Sequence, residues 1–75
     1  MTIHEIYRLS EREEVLGDLH SIDIIEAGLV AVIGKVKILL PGELAGQLEG
    51  LLGRRVGVLR LDGYHVRCLE NDMHV

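Results

Sequence analysis

The sequence has no phenylalanine and no tryptophan, and tyrosine only at Tyr7 and Tyr64. Proteins that hold single-stranded nucleic acid stack bases on aromatic rings, so Tyr64 is the one stacking platform this chain can offer. Cysteine occurs once, as Cys68, which excludes an internal disulfide and fits a reducing compartment. Side-chain hydroxyls other than tyrosine are confined to Thr2, Ser10 and Ser21, so a serine or threonine nucleophile has few places to sit. No uncharged apolar run approaches the ~20 residues of a membrane-spanning helix. The longest, Ala27 to Ile33, is far shorter. Met1–Ile6 lacks a basic stretch followed by an apolar one, so no secretory leader is read there. A cytoplasmic protein without a membrane partner is expected.

What is present is aliphatic. Leucine, isoleucine and valine make up 28 of the 75 residues. Branched aliphatic side chains suit pleated sheets and small cores. A chain this short forms one domain, 1–75, with an expected ordered core over 3–69 and a frayed tail over 70–75. The charges are segregated. Residues 1–26 carry two arginines against seven carboxylates, a balance of −5. Residues 35–68 carry six cationic side chains against three carboxylates, a balance of +3. Two such regions can attract one another within a fold or between subunits, or leave a local basic patch.

Apolar residues at alternating positions predict a first strand over Thr2–Leu9. A second is predicted from about Val15 to Glu26, bulged near Gly17. Ser10-Glu11-Arg12-Glu13 has the spacing of a helix capping box, so a short helix over 10–20 is the alternative. Val30, Val32, Gly34, Val36, Ile38 and Leu40 share one parity. This predicts a single long strand, Leu29–Leu40, kinked at Gly34. Its first half is apolar on both faces, so something must cover the outer one. Pro41-Gly42-Glu43 opens a helix with Leu44, Leu48, Leu51 and Leu52 on one stripe, stopped by Gly53. Arg55–Leu61 and Tyr64–Leu69 form a hairpin about Asp62-Gly63.

The order β-β-β-α-β-β resembles the OB-fold. The expected fold is therefore mainly β, a small five-stranded OB-like barrel with one helix between strands three and four. An α+β arrangement with an extra helix at 10–20 is the alternative.

Motifs for catalysis and metal binding are lacking. His65, Cys68 and His74 match no common zinc spacing. Cys68 shares parity with Tyr64 and Val66 and reads as a small buried hydrophobe. Gly34-Lys35 is followed by Val36, not by the serine or threonine of a phosphate loop. No acid, base and nucleophile converge, so no enzyme and no cofactor are expected.

Two candidate surfaces remain. Leu29, Ala31 and Ile33, with the glycines Gly42, Gly46 and Gly50 spaced every four residues along the helix, form a candidate protein interface. They suit a protein partner or a homo-oligomer. Lys35, Lys37, Arg54, Arg55, Arg60, His65 and Arg67 form a candidate nucleic-acid face. A solvated basic surface, neutralised by the acidic first third, is the simpler reading of those residues. The leading expectation is a small β-barrel interaction module, protein-binding or self-associating. The alternative is weak binding of RNA or single-stranded DNA.

Overall fold

Apolar residues at Val15, Leu19 and Ile22 give one long strand a buried side, and the fold is organised around it. The computed structural model describes residues 6–69. Among them are six strands, β1 (Ile6–Tyr7), β2 (Glu14–Ile25), β3 (Gly28–Ile33), β4 (Val36–Leu40), β5 (Arg55–Arg60) and β6 (Tyr64–Cys68). Between β4 and β5 a 3-10 turn, Gly42–Leu44, runs into a five-residue helix α1, Ala45–Glu49. The strands form one sheet in the order β1-β4-β3-β2-β5-β6, all neighbours antiparallel except β1 and β4. The two ends of the sheet do not pair, so the expected closure into a barrel is not made.

The strand expected from Val15 to Glu26 is present as β2, and no helix forms over 10–20. Its two halves serve different neighbours. Glu14–Asp18 pair with β5, and Leu19–Ile25 pair with β3. The irregularity lies between Leu19 and Ser21, not at Gly17 as expected. Gly17 has another task. A Cβ there would lie 3.1 Å from the backbone nitrogen of Gly34, so the missing side chain of Gly17 lets the β3–β4 turn rest on β2. The Gly34 amide donates to the Asp18 carbonyl at 2.9 Å across that contact.

The single strand expected over Leu29–Leu40 is two strands. Gly34-Lys35 is a two-residue turn, with Gly34 at φ +62°. Ile33 and Val36 face each other across the turn, so the inward positions switch from odd in β3 (Leu29, Ala31, Ile33) to even in β4 (Ile38, Leu40). The even-numbered apolar run reads as continuous only because β3 is apolar on both faces: Val30 and Val32 lie on its outer side, whereas Ile38 and Leu40 lie on the core side of β4.

The capping-box spacing at Ser10–Glu13 is used, but in a turn. The Glu13 amide donates to the Ser10 carbonyl at 3.0 Å, and the Ser10 amide donates to the Glu13 carboxylate at 2.8 Å. Arg12 takes a left-handed φ of +73° there, which no helix would hold. The first strand ends at Tyr7 rather than at Leu9, and the expected residues Thr2–Glu5 lie outside the described residues. The tail expected to fray, 70–75, also lies outside them.

The core consists of Leu9, Leu19, Leu29, Ala31, Ile33, Ile38, Leu40, Leu48, Val56 and Val58, all buried. Leu44, Leu48 and Leu51 of the helical segment pack on it, while Leu52 is exposed. Gly53, at φ +84°, ends that segment and donates to the Leu19 carbonyl. Among the described residues no helix is long and apolar enough to cross a membrane.

Candidate docking face

Alternation along β3 decides what each expected interface residue does. Leu29, Ala31 and Ile33 are fully buried in the core of the chain. They were expected to lie on a docking surface; instead they are the inward parity of a strand whose other side faces out. The glycine series is likewise not a ridge. Gly42 lies in the 3-10 turn and packs on the Gly28 backbone at 3.8 Å from its would-be Cβ. Gly46 faces open space within α1, and Gly50 is the cap residue that ends it. A five-residue helix presents no continuous face for a partner's backbone.

The outward parity carries the apolar surface. Val30 is buried yet stands apart from the core cluster, on the opposite side of the sheet. It and the half-buried Val32 floor a groove of about 300 Å³, with Ile6 and Ile25 among its walls. Cross-strand register assembles it. Val32 lies opposite Ser21 on β2 and opposite Lys37 on β4, and Val30 lies opposite Asp23 and Leu39. Lys37 is in turn opposite Ile6 of β1. Ile6 and Ile25 remain 46% and 37% exposed, enough to offer apolar area at both rims. Composition along Leu29–Ile33 signalled a doubly apolar strand. Which parity faced out depended on the β2 and β4 neighbours and was not legible from that segment alone.

The seven basic candidates do not converge. Lys35 is in the β3–β4 turn and Lys37 is on the outer face of β4. Arg54 and Arg55 are at the start of β5, Arg60 at its end, and His65 and Arg67 alternate along β6. Several are engaged by the acidic first third. Arg55 approaches Asp18 at 3.9 Å, Arg67 meets Glu14 at 3.3 Å, and Arg60 approaches Glu11 at 4.0 Å. Arg60 also donates to the Leu9 carbonyl at 2.7 Å and lies over the Tyr64 ring, 5.6 Å from its centre. The Tyr64 face is thereby occupied by a guanidinium. His65 contacts the Leu61 carbonyl through Nε2 at 2.8 Å.

Cys68 is exposed, contrary to the buried position expected from its parity. It lies at the end of edge strand β6, past the half-buried Tyr64 and Val66 that do pack on the core. Among the described residues no three histidine, cysteine or carboxylate side chains come together as metal ligands do. His74, part of the metal spacing considered above, lies outside them.

Among the described residues two titrating groups, Tyr7 and Glu13, are shifted, and they face each other. The Tyr7 hydroxyl donates to the Glu13 carboxylate at 2.6 Å. That bond raises the Tyr7 pKa, since ionisation would set two anions together. Glu13 is held below the usual carboxylate range by the Ser10 amide first and by Tyr7 second.

Comparison with protein-family models, with curated proteins and with solved structures finds no match to this chain.

Proposed function

We propose that this chain is a non-enzymatic interaction module that docks a protein through the outer face of β2, β3 and β4. The observation that carries the reading is the second apolar side of β3, where Val30 and Val32 floor a groove outside the core. Apolar surface of that kind on a small protein is typically where another protein binds. The scaffold we infer is an open OB-like barrel. In support, β2 to β6 run in the order β4-β3-β2-β5-β6, with the helix between the third and fourth of these five strands. The short strand β1 occupies the edge of β4 to which the last strand would pair on closure.

The alternative, nucleic-acid binding, is disfavoured by the scatter of the basic side chains and by their carboxylate partners. Phosphate contacts weaken steeply as salt rises, whereas apolar docking does not. Titration of isotope-labelled protein with short single-stranded RNA at low salt separates the two. The expected result is an unchanged amide spectrum. Shifts clustered on Lys35, Lys37, Arg60, His65 and Arg67 that vanish with added salt would overturn the docking reading.

A further inference from the structure

We propose that the partner on this face is a second copy of the chain. The two sheets would pack outer face to outer face about a two-fold axis along β3, with Lys37 of each copy reaching Asp23 of the other. The inference rests on the docking reading above and names its partner.

A two-fold interface requires a patch complementary to itself. The register supplies one. Asp23 stands on β2 opposite Val30, and Lys37 stands on β4 opposite Val32, so an anion and a cation flank one valine floor. Rotation about an axis along β3 lays β2 of one copy over β4 of the next. Each carboxylate then meets the flank that carries the ammonium. The offset is two residues along the strand, from the level of Val30 to that of Val32 or about 7 Å, which the lysine and aspartate side chains span together.

The charges themselves favour this occupant. Elsewhere on the sheet the acidic and basic side chains are paired within the chain, as with Asp18 and Arg55 or Glu14 and Arg67. Asp23 and Lys37 have no such partner among the described residues. They contribute one charge of each sign, so the face has no net charge with which to attract a polyanion or an anionic membrane. Sheets packing face to face keep their strands within about 30° and about 10 Å apart, a geometry that a valine floor admits. The second copy also supplies the layer that the outer side of this sheet lacks.

Sedimentation equilibrium of the full chain at low salt, up to millimolar concentration, tests the proposal. The wild type is expected to dimerise. Lys37→Asp and Asp23→Lys are each expected to weaken the dimer by roughly tenfold or more, because like charges then meet. The double variant K37D/D23K is expected to recover most of the loss. Amide spectra establish that each variant is folded. A dimer indifferent to both single variants and to Val32→Lys would place the contact elsewhere and overturn the proposal. A wild type that stays monomeric would overturn it too. Relaxation of the Val30 and Val32 methyls by a soluble gadolinium chelate then shows how far the failure extends. Exposed methyls would remove only the second copy as partner, whereas shielded methyls would remove the docking face itself.

Discussion

Glycines that look alike in the sequence do opposite things in this fold. Gly28 sits at φ +144°, and a Cβ there would collide with the carbonyl oxygen of Leu40 on the neighbouring strand. Gly46 is helical and faces open space. Gly28→Ala is therefore expected to destabilise by well over ~1 kcal/mol, since both the backbone angle and the space oppose it. Gly46→Ala is expected to stabilise by about 0.5–1 kcal/mol through helix propensity alone. Urea denaturation of the two variants checks both signs. The Tyr7–Glu13 pair is a second residue-scale feature. Glu13 has a folded pKa below its unfolded value, so its contribution is present above the unfolded value and is lost as acid takes the pH through the folded one. Tyr7 has a folded pKa above its usual 10.0, so its contribution is present below that value and is lost as pH rises through the folded one. Tyr7→Phe is expected to lower the melting temperature most at neutral pH, with the gap to wild type narrowing toward both extremes. A gap independent of pH would mean that the hydrogen bond contributes nothing. The serine–glutamate spacing that supports this pair was visible beforehand, but its use in a turn depended on Arg12 adopting a left-handed conformation.

Legibility changes at the scale of elements. The long β2, the helical segment ended by Gly53 and the hairpin about Asp62-Gly63 follow from local patterns. The hairpin forms, but Arg60 pairs with Tyr64, so its loop is three residues, 61–63, rather than the two-residue turn the Asp-Gly pair suggests; Asp62 and Gly63 both have positive φ. The β3–β4 hairpin was hidden because β3 is apolar on both faces, which masks the change of inward parity across its two-residue turn. Pairing partners, not periodicity, distinguish it from a kinked strand. The docking of the N-terminal segment was hidden for a different reason, since it depends on contacts about fifty positions apart. Arg60 holds that segment by donating to the Leu9 carbonyl, and the Arg12 amide donates to the Arg60 carbonyl. Leu9 itself is buried in the core. Arg60→Met keeps the apolar stem and removes the guanidinium. It is expected to cost about 1–3 kcal/mol, the usual worth of a hydrogen bond to a charged group. Amide exchange is expected to accelerate over Ile6–Glu13 more than in β3 or β5. Uniform acceleration throughout the sheet would show instead that the segment unfolds only with the whole domain.

For the whole molecule, the segregation of charge along the sequence becomes an interlocking of its two halves. The acidic first third forms β2 and the turn before it, and the basic second half forms β5 and β6. The sheet order places β2 beside β5 and β5 beside β6. Three ion pairs, Asp18–Arg55, Glu11–Arg60 and Glu14–Arg67, result from that order. They are largely exposed, so each contributes about 0–1 kcal/mol and is weakened by salt. The sign of the salt effect on stability therefore tests how the charges are arranged. If the basic residues formed one crowded patch, salt would relieve their repulsion and raise the melting temperature. With cations set against carboxylates, sodium chloride is expected to lower it. A domain of this size shifts by about 4–8 °C per kcal/mol, so the fall should amount to several degrees between low and roughly half-molar salt. Melting followed by circular dichroism, at a protein concentration below any self-association, reads that sign directly. A rise would mean that like charges dominate the surface, and it would return the basic side chains to consideration as one face.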